Sequence, residues 1–197
     1  MKKTLLIIMA ISLAGSLIAA NPPSSYSTSR ASGTIMISGA GTYQTDLSED
    51  HRGSLWSLGI DGALFFFPQL AAGLEFGYHR AMQESGDEDD PTVTLDIDKY
   101  LGPRLYFFLG GNRSELTPFV KGGANYQVNK LVVDDEEVWS DDKELGLTAS
   151  VGVLLNLARN VGLSIETEYN FEKGTAVDEI DTQQLLIKFG IRSFLGE

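Results

Sequence analysis

The chain of 197 residues has no cysteine, two histidines, two tryptophans, and no long apolar run after its first twenty residues. The missing cysteine excludes disulfide staples, thiolate redox or metal motifs and a lipid-modified cysteine at a processing site. The missing apolar run leaves nothing near the roughly 20 residues that a helix needs to cross a bilayer, so the chain is either soluble or crosses as strands. Basic charge is also short: 15 Lys and Arg face 27 Asp and Glu, a net charge of −12. That balance argues against a nucleic-acid partner. No glycine-rich phosphate loop, HExxH or GxSxG motif occurs, and "GGNRSEL" (Gly110 to Leu116) has the character of a turn.

What is present begins with "MKKTLLIIMAISLAGSLIAA", two lysines, an apolar run and a small-residue end at Ala19 and Ala20. This pattern predicts a secretory signal over residues 1–20, cut before Asn21, leaving a chain of net charge −14 once Lys2 and Lys3 are gone (−12 less two positive charges). "NPPSSYSTS" opens a flexible segment over residues 21–30. The rest, residues 31–197, forms one domain.

Within it, apolar and polar residues alternate with period two in eight segments, roughly 31–43, 54–67, 70–82, 92–109, 117–131, 144–157, 161–171 and 181–194. In "LAAGLEFGYHRAM", Leu70, Leu74, Phe76 and Tyr78 share one side and Glu75 and His79 the other. In the seventh segment, Val161, Leu163, Ile165, Tyr169 and Phe171 oppose Ser164, Glu166, Glu168 and Asn170. The first segment, mostly Gly, Ser, Thr and Ala, shows the pattern least. Connections alternate as well. Those after segments two, four and six are short ("PQ", "GGNRSEL", "ARN"); the other four are long, and 19 of the 27 carboxylates lie in or beside them. Tight turns at one end and long loops at the other are the pattern of an up-and-down barrel in an outer membrane.

Period two alone does not say which face is wet. A soluble lipocalin-like barrel hides its apolar face, and an outer-membrane barrel turns it to lipid. Three features predict lipid outside: the loop asymmetry, greasy stretches of about ten residues matching a tilted membrane strand, and aromatics toward the ends of that band. The aromatics are Tyr43, Trp56, Phe66, Phe107, Tyr126 and Tyr169. Leu58 and Ile60 then face lipid, and Asp61 faces the lumen. The fold predicted is all-β, an eight-stranded antiparallel up-and-down transmembrane β-barrel.

The stretches "FFFPQLAAGLEFGYHR", "YLGPRLYFFLG" and "LTPFVKGGANYQV" resemble the small outer-membrane β-barrel proteins of the OmpA/OmpX transmembrane-domain type, over about residues 31–195. The resemblance implies a barrel inserted from the periplasm by the outer-membrane insertion machinery, with its interior filled by side chains rather than open. Such barrels usually end on an aromatic residue. This chain ends "FGIRSFLGE", with Phe194 three residues short of the end and in the inward phase. No peptidoglycan-binding domain follows, so no cell-wall tether is expected.

The polar strand faces carry a predicted interior charge network: Asp61, Glu75, Asp96, Asp98, Glu166 and Glu168 against Arg104, Lys121, Lys188 and Arg192. His79 shares that interior, and any carboxylate partner for it must come from a neighbouring strand. No serine is marked as a nucleophile, so no catalytic group, cofactor or resident metal is predicted. His51, in "DLSEDHRG", has the setting of a solvated loop histidine. The acidic stretches "SGDEDDP" (Ser85 to Pro91) and "DDEEVWSDD" (Asp134 to Asp142) are candidates for weak Ca²⁺ or Mg²⁺ association and lack EF-hand spacing. Arg80, Lys99 and Lys130 fall in the lipid-facing phase, about ten to twelve residues above the short turns, at the outer rim of the hydrocarbon band. At headgroup level they form a candidate contact for lipopolysaccharide phosphate. The function predicted is a structural or surface-interaction role through the acidic loops. A narrow channel or small-molecule binding barrel, a lipid-modifying outer-membrane enzyme and a soluble periplasmic lipocalin-like binder are the alternatives.

Overall fold

A computed structural model describes residues 30–47, 51–85, 93–110, 114–133, 136–173 and 182–196. Eight strands follow in order: β1 (Ile35–Leu47), β2 (His51–Phe67), β3 (Leu70–Ser85), β4 (Val93–Phe108), β5 (Leu116–Val133), β6 (Glu136–Ala158), β7 (Val161–Lys173) and β8 (Thr182–Leu195). Each pairs antiparallel with its sequence neighbours, and β1 pairs with β8, so the sheet closes into a barrel. Closure supplies every strand with a partner on both sides, which the bilayer demands of any structure that crosses it.

Alternation sets the walls. Along β2, Leu58, Ile60 and Leu64 are exposed on the outer face while Ser57, Asp61, Ala63 and Phe65 are buried within. The same parity holds in β7, where Leu163 and Ile165 lie outside and Ser164, Glu166, Glu168 and Asn170 inside. Short turns close one end. Pro68 and Gln69 join β2 to β3 beside a bulge between Phe65 and Phe67, and Arg159 and Asn160 join β6 to β7. Before β1, Gly33 takes a φ of +89°, where a side chain would be strained, and its N–H donates to the Phe65 carbonyl at 2.8 Å.

The strands run beyond the predicted segments at the long-loop end. β6 begins at Glu136, eight residues before the start predicted from alternation, and β2 begins at His51. Glu136 to Lys143 therefore belong to a strand and not to a loop. The reason is physical: above the membrane both faces of a strand meet water, so the ladder continues while the apolar alternation stops. The first segment errs the other way. Ala31 to Thr34 form a turn, with the Thr34 N–H donating to the Ala31 carbonyl at 3.1 Å, and β1 starts at Ile35.

At the short-turn end the lumen is filled by apolar side chains. Met36, Ala63, Phe65, Ala71, Tyr106, Phe108, Phe119, Leu154 and Phe194 make one buried cluster. Phe65 lies 5.5 Å from Phe108 and 6.1 Å from Phe194, centroid to centroid, and Phe108 lies 5.6 Å from Phe119, all within the range of favourable ring pairs. Phe194 points inward, in the predicted phase. Arg30, the last residue of the segment predicted to be flexible, is fully buried with its guanidinium 5.1 Å from the Phe108 ring centroid.

Ile60→Arg places a charge on the lipid face near mid-height and should destabilise the protein by roughly 2–4 kcal/mol in a lipid-refolding titration. Ser57→Arg, on the inner face, should show a different cost; a neutral Ile60→Arg would invert the inside–outside assignment.

Candidate functional site

Above the aromatic cluster the lumen turns ionic. Glu75, from β3, is the centre. It accepts hydrogen bonds from Arg104 Nε at 2.7 Å, Tyr100 Oη at 2.8 Å and Lys121 Nζ at 3.4 Å, and Lys188 Nζ lies 3.8 Å away. Lys121 also reaches Glu166 and Glu168, each at 2.9 Å. Lys188 pairs with Glu168, and Arg192 Nη2 with Glu166 at 3.0 Å. Arg192 lies over the Phe119 ring, 4.5 Å from its centroid, and so joins the ionic layer to the aromatic one. These side chains come from β3, β4, β5, β7 and β8, and the pairs brace one wall against the opposite one.

Of the predicted interior set, the structure brings together Glu75, Arg104, Lys121, Glu166, Glu168, Lys188 and Arg192. Asp61 stands beside them, opposite Glu75 in the β2–β3 register, and accepts from Ser38 Oγ at 2.5 Å. With Asp61 counted, four carboxylates meet four cations. Asp96 and Asp98 lie on β4, opposite Ala81 and His79, and their side chains are outside the described residues. His79 is buried and meets the Tyr100 ring edge-on at 5.1 Å. The side chains of the two acidic stretches proposed for cations, and of His51, also lie outside the described residues.

Two partners escaped the sequence reading. Tyr100 was one of them. It shares the inward phase with Arg104, and its ring lies against Gly77, where an added Cβ would stand 2.0 Å from the ring. Gly77 pairs with Gly59 across the β2–β3 ladder, so two opposed inward glycines are the signal that a large ring crosses that wall. The second is a repair. The β4–β5 register is interrupted between Leu101↔Tyr126 and Arg104↔Gly123, and Pro103 in the gap has no N–H to give. Arg104 Nη1 donates instead to the Ala124 carbonyl at 2.9 Å and the Pro103 carbonyl at 3.0 Å, and Nη2 donates to Asn125. One guanidinium thus serves the charge network and a break in the wall.

On the outside, the register gathers the three basic residues. Arg80 on β3 and Lys130 on β5 are both paired with Ile97 on β4, so they share one cross-strand row about 10 Å apart. Lys99, two residues from Ile97 on β4, is exposed, and Arg80 and Lys130 are half-buried. The row continues through Trp56 to Tyr43, and Trp56 lies 5.1 Å from Tyr78, centroid to centroid. Cations and girdle aromatics therefore share one cross-strand row.

An apolar outer belt, an upper girdle and a lumen filled by rings and paired charges define an integral β-barrel of the bacterial outer membrane. The chain belongs to the outer membrane protein beta-barrel domain family, whose sequence profile matches residues 10–192. No curated protein matches it in sequence. Among solved structures it is similar to Neisserial surface protein A (TM-score 0.62, 14% identity, 82% of this chain and 97% of that one). It is also similar to the outer membrane protein OprG of Pseudomonas aeruginosa (TM-score 0.51, 14% identity, 87% and 98%). A third likeness is to the N-terminal β-barrel domain of OprF from the same organism (TM-score 0.50, 12% identity, 84% and 98%). At these identities the likeness is one of fold.

Glu75→Leu removes the carboxylate that Arg104, Lys121 and Lys188 share and should cost about 3–5 kcal/mol in a urea refolding titration in lipid vesicles. Glu75→Gln keeps one oxygen to accept from Arg104 Nε and turns its amide N–H2 toward the Tyr100 hydroxyl, which can accept from it, and should cost less. Equal stability of all three proteins would show that the network does not brace the barrel.

Proposed function

We propose that this barrel is a non-enzymatic component of the outer membrane with a structural and surface-interaction role. It is held in the outer leaflet by lipopolysaccharide phosphates at Arg80, Lys99 and Lys130, and it presents acidic hairpins to the outside. The observation that carries the reading is the shared row: two cations flank Ile97, a third lies one step below, and an aromatic pair borders them. Phosphate is the abundant anion at that height in a lipopolysaccharide leaflet, and long basic side chains at the rim reach it through charge-assisted hydrogen bonds. The acidic hairpins associate weakly with the divalent cations that bridge the same phosphates. Export proceeds through the signal over residues 1–20, cut before Asn21, and the insertion machinery places residues 31–197 in the membrane.

The filled lumen supports a structural role over a channel. Glu75, Glu166, Glu168, Lys121, Lys188 and Arg192 are all nearly fully buried, and the ring cluster lies below them. Purified protein in planar bilayers should therefore show no stable open conductance; a steady open state would favour the channel.

The phosphate row is tested with Arg80→Ala, Lys99→Ala and Lys130→Ala combined. Thermal stability should fall in bilayers containing lipopolysaccharide and change little in phosphatidylcholine. An equal fall in both would reduce the row to general interfacial anchoring.

A further inference from the structure

One seam of the barrel is incomplete. Among the described residues, β1 and β8 pair only from Ile35↔Leu195 to Gly41↔Phe189. Above that point each strand continues on its other side, β1 with β2 as far as Leu47↔Arg52, and β8 with β7 as far as Glu172↔Thr182. Thr42 to Leu47 and Thr182 to Lys188 therefore have one edge outside the ladder. Gly41 is six residues above Ile35, so at about 9–11 residues per crossing the opening starts just past the midplane and runs out through the outer leaflet. Backbone N–H and C=O groups turned into hydrocarbon cost several kcal/mol each when unsatisfied. This gap calls for an occupant with both donors and acceptors.

We infer that the outer half of the β1–β8 seam is a binding slot for the amide- and hydroxyl-bearing acyl linkage of an outer-leaflet glycolipid, the chemistry of lipid A. Three observations select this occupant. The lipid-side flanks are apolar and exposed: Tyr43, Leu185, Ile187 and Phe189, which suit acyl chains. The charge beside the slot is already used, because Lys188 is paired with Glu168 and near Glu75, so the bound group is neutral. Finally, strand edges present donors and acceptors alternately. The ester linkages of a phospholipid offer only acceptors; an amide N–H and a hydroxyl also offer donors to the strand carbonyls.

The slot lies across the barrel from β3–β5, so it stands independently of the phosphate row and shares with it only the outer-membrane setting and the lipid. The test is backbone hydrogen–deuterium exchange on the full protein in nanodiscs. The bilayers are phosphatidylcholine alone, with phosphatidylglycerol as an ester-only anion, or with purified lipid A. Amides of residues 42–44 and 185–188 should exchange about tenfold more slowly with lipid A than in either other bilayer, while Ile35 to Gly41 stay unchanged. The slowing should persist when Arg80, Lys99 and Lys130 are all alanine. Equal exchange in the three bilayers would overturn the slot, as would equal slowing by phosphatidylglycerol. Loss of the slowing in the triple variant would assign it to the phosphate row and overturn the slot, leaving that row supported.

Discussion

The structure depends on one constraint: a backbone inside a bilayer must find its hydrogen bonds within the protein. Eight strands meet it by closing on themselves. The constraint is most visible where the ladder falters. Pro103 withholds a donor at a membrane-embedded position, and a buried guanidinium from the next residue supplies one to the Ala124 carbonyl. The β1–β8 seam stops at Gly41↔Phe189, and no comparable side chain bridges it among the described residues. The first break is repaired from within the chain, whereas the second faces the lipid.

The lumen is organised in two layers with different physics. At the short-turn end, rings exclude water by packing, and the two cations there lie against aromatic faces. Above them, carboxylates and cations sit in a low-dielectric space where an unpaired charge is far costlier than a paired one. Pairing across the barrel therefore couples strands that never touch through the ladder, such as β3 with β8 through Glu75 and Lys188. A filled interior of this kind holds the wall in one register and leaves the outer surface to make contacts.

That outer surface is not uniform around the barrel. The basic row lies on β3 to β5, bordered by Trp56 and Tyr78. The open seam lies across the barrel, between β1 and β8. The basic side chains and the open ladder edge thus lie on opposite sides of the wall.

Much of this was legible in the sequence. Strand number, inside–outside parity, the short and long connections, the belt and most of the interior charges follow from period two, because a half-greasy strand must alternate wherever one face meets lipid. Glu75, Lys121, Glu166, Glu168, Lys188 and Arg192 could be placed inside on that ground alone. Alternation carries no information once both faces are wet, which hid the upper parts of β2 and β6. It also does not say which strand residues stand opposite one another. Register decided that Arg80 and Lys130 flank Ile97, that Asp98 stands beside His79, and that Tyr100 crosses onto Gly77. It decided too that β1 and β8 part above Gly41. A strand's own residues determine its two faces; its neighbours determine its partners, because hydrogen-bond pairing between strands far apart in sequence exists only once the sheet has closed.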